Sequence, residues 1–190
     1  MLVCLVLMVA TEGCASFRAG SLPSVSLWPP PAANGSKSII VVVAGKTIVN
    51  GSEREFVSPF LDQCLERTVA AYRESRLFSQ VNARVPEPDL RADVNIIDRM
   101  VVPVWLDILA VLTFALSPTT HMDTFVMTTT LTNQAGRLLG TFHKSEVIAT
   151  TYHLLLIVGS LTHRPDQVTK ETIYDLNRTI LLEAHAQRLL

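Results

Sequence analysis

Few residues in this chain could do chemistry, and the most conspicuous is a thiol. Cys14 follows Gly13 directly, just beyond an almost purely apolar run from Met1 to Ala10 (Leu2, Val3, Leu5, Val6, Leu7, Met8, Val9). A small residue before the cysteine suits a peptidase that accepts only small side chains there. Cleavage at that bond would leave Cys14 as the first residue, with its sulfur available for acylation. The run fits the apolar region of a secretion signal and is too short to span a bilayer core of about 30 Å, which needs roughly 20 apolar residues. The same run admits two other fates: a secretory signal without lipid, or an anchor that is never cleaved.

The remaining reactive side chains form no constellation. Of the cysteines Cys4, Cys14 and Cys64, cleavage would remove the first and acylation would consume the second. Cys64 then has no disulfide partner within the chain and sits on an apolar helix face, where a thiol packs as a small hydrophobe. His121, His143, His153, His163 and His185 include no pair four apart on a helix and no Cys/His metal spacing. His121 and Asp123 stand close together at a strand entry, where surface or capping roles outweigh a ligand pair. Glu53, Glu55, Asp62 and Glu66 read as a solvated face rather than an acid–base pair. No nucleophile elbow, phosphate loop or dinucleotide fingerprint occurs. The expectation is therefore a non-enzyme, with no catalytic residue, no metal site and no cofactor. Sixteen basic residues face 17 acidic ones, and removing residues 1–13 deletes only Glu12 among them. So neutral a balance argues against a nucleic-acid partner, which calls for a basic face.

The 190 residues divide into a signal peptide (1–13), an acylated cysteine with a Pro/Ser-rich tether (14–37) and one folded domain (38–190). The tether carries Pro23, Pro29, Pro30 and Pro31 among glycines and serines, a composition that resists both helix and interior strand. Ile39–Val43 is a β-branched run and predicts a buried strand, which Thr47–Val49 extends or follows. Ser58 as N-cap and Pro59 at the first helical position predict a helix start, and Phe60, Leu61, Cys64, Leu65, Thr68, Ala71 and Tyr72 continue it at helical spacing to about Arg76. Further strands are predicted at 92–100, 123–131 and 137–151, the last two joined by the turn Asn133–Gly136. Pro165–Leu190 predicts a closing helix. Strand, helix, three strands, helix is the α+β pattern. It implies a mostly antiparallel sheet of about four strands with two helices on one face.

Two apolar segments exceed what such a domain needs. They are 101–116 (VVPVWLDILAVLTFAL) and 152–161 (YHLLLIVGSL). One enters the hairpin that begins at Asp123 and the other leaves it near Thr151, so strand geometry puts both at its open end. Two readings stand. The segments are a core helix and a core strand, or they form a patch for membrane, lipid or a partner subunit. On the second reading the contact residues are Trp105, Leu106, Leu109, Leu112, Phe114, Leu154, Leu155 and Leu156, with Trp105 and Tyr152 suited to an interface by their polar tips.

The start of the chain, an apolar run ending at Gly13-Cys14, resembles bacterial lipoprotein precursors. The stretch from Ser58 to Val81, closing in Ser75-Arg76-Leu77-Phe78-Ser79-Gln80-Val81, resembles the auxiliary lipoproteins of ABC-type lipid-transport systems. So do Ala92-Asp93-Val94, the hairpin turn Leu131–Arg137 and the C-terminal helix. The resemblance covers about half the chain in generic pieces, and the apolar segments 101–116 and 152–161 depart from it. It implies a small envelope lipoprotein, lipid-anchored at Cys14, facing the periplasm from the outer membrane. Its partners would be membrane lipid, through the acyl anchor, and an envelope protein complex or further copies of itself. Two functions follow: an accessory subunit contacting lipid or a membrane transport or assembly complex, or a structural subunit of an oligomeric secretion or export complex.

Overall fold

The computed structural model describes residues 13–20, 22–31, 35–82, 87–113, 117–153 and 164–190. Its strands are β1 (Gly13–Arg18), β2 (Ser38–Val49), β3 (Ser52–Glu55), β4 (Gln80–Val81), β5 (Leu90–Val101), β6 (Thr119–Asn133) and β7 (Leu138–His153). The described helices are α1 (Ser58–Glu74), α2 (Val104–Leu112) and α3 (Pro165–Ala186). The strands form one 7-stranded sheet in the order β1-β7-β6-β5-β2-β3, with β4 on the same edge of β2 as β3. The class is α+β. The expectation of about four mostly antiparallel strands with two helices is corrected to a larger, mixed sheet with three helices.

The mixed character arises around β2. It runs parallel to β5 in unbroken register from Ile39↔Leu90 to Val49↔Met100. The physical reason is the intervening helix. Two strands joined through α1 form a crossover unit, which pairs in parallel, whereas a tight hairpin pairs antiparallel. The missed strand β3 comes from such a hairpin. Asn50 and Gly51 both adopt positive φ (47° and 88°) and link Val49 directly to Ser52. Asn-Gly at those two positions is the preferred sequence for this turn, whose twist matches that of the flanking strands. The β6–β7 hairpin follows expectation, with Gly136 at φ 74° in the turn and strands that outlast their predicted ends.

Helices α1 and α3 cover one face of the sheet. Alternation points Leu90, Ala92, Val94 and Ile96 of β5 at them, beside Phe125, Met127 and Leu131 of β6 and Phe142 and Ile148 of β7. Against this face α1 buries Cys64, Val69 and Tyr72, and α3 buries Ile173, Leu176, Ile180 and Leu181. Each such side chain contributes roughly 1.5–3 kcal/mol. Inside the helix pair, the Asn177 amide donates to Thr68 Oγ1 (3.2 Å) and to the Ile173 carbonyl (2.8 Å). The cap of α1 differs from expectation: Val57 is the N-cap, without a side-chain hydrogen bond, and Ser58 is the first helical residue.

Parts of the segment read as a tether pack against the domain. Gly13–Arg18 is the edge strand β1, antiparallel to β7 with Cys14 opposite Tyr152. Ala15 and Ser16 are fully buried. Arg18 explains why this short, weakly apolar strand holds. Its guanidinium bonds the buried Glu146 of β7 (3.1 Å) and Asp175 of α3 (2.6 Å). Farther along, Leu22 and Trp28 pack against the core, and Arg178 lies over the Trp28 ring at 5.1 Å. Of the segment expected to be a signal peptide (1–13), residues 1–12 lie outside the described residues.

Candidate functional site

The sheet has two ends, and one of them gathers most of the features singled out above. The Asn133–Gly136 turn marks the far end. At the near end β5 and β7 finish, β1 and β6 begin, and α2 lies between β5 and β6. Tyr152 is the hub of the register: it pairs with Cys14 on one side and with Thr119 on the other. Cys14 therefore stands two strand spacings, about 10 Å, from Thr119.

Polar residues hold α2 in place. Asp107, its only charged residue, turns toward β6. One of its carboxylate oxygens accepts hydrogen bonds from Thr119 Oγ1 and from His121 Nε2, both at 2.9 Å. The bond from His121, joined by that from Thr119, holds the Asp107 carboxyl below the usual carboxylate range. The His121 ring also meets Tyr152, centroid to centroid at 4.9 Å. Thr113 closes the helix with its hydroxyl on the Leu109 carbonyl.

Six apolar side chains of α2 face solvent. Val104, Trp105, Ile108, Leu109, Val111 and Leu112 are exposed, Trp105 by 68% and Val111 by 75%. Of the expected contact residues, Trp105, Leu109 and Leu112 thus lie on the surface, while Leu106 is half-buried beside Asp107. Phe114, Leu154, Leu155 and Leu156 lie outside the described residues. Val104, Ile108 and Val111 were missed, because helical spacing alone does not say which face of a helix apolar in all but Asp107 meets the sheet. Cys14 is half-buried.

Beneath this end, carboxylates continue the core face of the sheet. Burial and the neighbouring Asp123 push Asp98 of β5 up to about 7. Asp123 of β6 is also raised by burial. Each has one carboxylate oxygen without a hydrogen-bond partner among the described residues. Burial, helped by Asp98, pushes the Cys64 thiol up to about 12, so it stays protonated and packs as an apolar group.

The arrangement resembles half of a hydrolytic triad, a His held by an Asp. The nearby hydroxyls of Ser16 and Thr150 bond each other at 2.7 Å, and neither hydrogen bonds His121. Nor do three or more His, Cys, Asp or Glu side chains group so as to hold a metal ion among the described residues. The Asp107–His121 pair is a brace between helix and strand. His121 also lies near Asp123, whose carboxyl its charge pulls down against the rise that burial causes. No family model matches this chain, and no curated protein matches it.

Proposed function

We propose that this protein is a non-enzymatic lipoprotein of the bacterial envelope, anchored through an acyl group on Cys14 and facing the periplasm from the outer membrane. There it acts as an accessory subunit whose apolar end meets lipid or a membrane transport or assembly complex. One observation supports this above the others. Cys14 and the exposed apolar helix α2 lie at the same end of the sheet, although some 90 residues separate them in sequence. An anchor at one end and an apolar surface at the other would have weakened the reading.

The packing of β1 adds to it. Cys14 is the second residue of a strand whose next two residues are buried, so no spacer separates an acyl group there from the fold. A lipid on that sulfur would hold the α2 end of the domain against the bilayer rather than leave the domain on a long leash.

The test is intact-mass analysis of the protein from membranes, with labelled fatty acid fed to the cells. The expected result is an N-terminus at Cys14 carrying acyl mass, and label that disappears in Cys14→Ser. An unmodified N-terminus retaining residues 1–13 would remove the lipoprotein reading.

A further inference from the structure

We propose that α2 is a membrane-docking helix whose occupant is the surface of the phospholipid bilayer. The inference takes from the proposed function the presence of a membrane beside the protein, and adds a second, non-covalent contact with it.

The helix has the make-up of an interfacial element. It is 9 residues long, so it spans about 14 Å and cannot cross a bilayer core of about 30 Å. Among the described residues no helix is long and apolar enough to cross. Its one charged residue, Asp107, is spent on Thr119 and His121 of the protein itself. What remains outward is apolar, ending in the amphipathic ring of Trp105. Patches of this kind rarely stay in water on a monomer without a role. Trp105 has the apolar body and polar tip that favour the headgroup boundary.

The placement selects the bilayer as occupant. The apolar chain Leu2–Val9 joins the fold at Gly13, the first residue of β1, at this same sheet end. With that chain exchanged for an acyl group on Cys14, as the proposed function has it, or kept as an uncleaved anchor, a hydrocarbon phase is tethered to the protein about two strand spacings from the strand that follows α2. With the spacer folded into β1, docking α2 requires no stretch of the chain. Such helices bury their apolar face about 5–10 Å into the headgroup–acyl boundary.

The chain has two tryptophans, which makes the contact directly readable. Trp28 packs on Arg178, part-way along α3, while Leu189 beyond the end of α3 lies against Gly140 near the far hairpin turn. Trp28 is therefore away from the α2 end. The full chain is purified from membranes and reconstituted into phosphatidylcholine–phosphatidylglycerol vesicles, with acyl chains brominated or not. In Trp28→Phe, which leaves Trp105, bromination should quench emission by roughly twofold, the depth of an interfacial helix. In Trp105→Phe, which leaves Trp28, it should do nothing. Adding Ile108→Glu to Trp28→Phe should reduce the quenching and leave the melting temperature unchanged, because Ile108 is exposed. Unquenched Trp105 overturns the inference, and a dimer in the same vesicles would then assign the helix to a second copy of the chain. Ile108→Glu that unfolds the domain overturns it too, in favour of a buried core helix. The mass of the N-terminus, read on the same sample, keeps the two ideas apart. Acylated Cys14 with unquenched Trp105 leaves the anchor standing, and quenched Trp105 without acyl mass leaves the docking helix standing.

Discussion

Replacing Arg18 by alanine should loosen the N-terminal strand and cost the fold a measurable part of its stability. The guanidinium serves two carboxylates, Glu146 at 3.1 Å and Asp175 at 2.6 Å, and so ties β1 to both β7 and α3. The partners differ in exposure: the Glu146 side chain is 2% exposed, against 30% for Arg18. An exposed ion pair contributes at most about 1 kcal/mol. Removing one partner of a fully buried pair costs about 3–5 kcal/mol, because a charge is left in low dielectric without compensation. With Glu146 buried and Arg18 partly solvated, Arg18→Ala should fall between these limits, at roughly 2–3 kcal/mol. Typical totals are about 5–15 kcal/mol, so the shift in the urea midpoint is large enough to read at constant slope. Hydrogen exchange should localise the loss to β1 and the β7 residues that face it. The double variant Arg18→Met/Glu146→Leu, which removes both charges, should recover most of the stability, since an apolar pair of similar volume replaces a buried ion pair at little cost. A single variant within about 0.5 kcal/mol of wild type, the range of an ordinary surface change, would refute the reasoning. So would a double variant as unstable as the sum of two independent losses.

Asp98 offers a pH signature. Its folded-state value of about 7 lies above the usual carboxylate value near 4, so the folded state holds the proton that the unfolded chain has already released. Stability should therefore fall as pH rises from about 4 to about 7 and level off above. Asp98→Asn should flatten that slope and raise the melting temperature at pH 8 while leaving pH 4 nearly unchanged; an unaltered slope measured by melting across this window would exclude Asp98 as its source. Asp107→Ala removes the acceptor shared by Thr119 and His121. It should cost about 1 kcal/mol, as for one or two net hydrogen bonds, and speed limited proteolysis within α2; cleavage at the wild-type rate would show that the brace does not hold the helix.

Local pattern was enough to reveal the α+β class, the two long helices and the β6–β7 hairpin. The Ile39–Val43 run marked a strand, although only Ile39 and Val41 are buried while Ile40 and Val42 on its other face are exposed; the spacing from Phe60 to Tyr72 marked one face of a helix, and Gly136 was the residue able to take positive φ. These features depend on neighbours within a turn or two, and so they are written in consecutive residues. The apolar excess of 101–116 was equally visible, although which of its side chains face water was not.

Tertiary structure alone decided the rest, because it rests on partners far apart along the chain. β1 lacks an apolar alternation of its own and is a strand only because β7 offers an edge and Glu146 and Asp175 receive Arg18, at separations of 128 and 157 residues. The parallel pairing of β2 with β5 depends on where the α1 crossover lands. Asp107 meets His121 at a separation of 14 residues and braces the helix, a pairing that no spacing along the chain announced. The same pairing of strands carried Cys14 to the end of the sheet where α2 lies exposed. Sequence spacing measures distance along the chain, whereas a sheet brings together residues by register, and only the register puts the thiol and the apolar helix side by side.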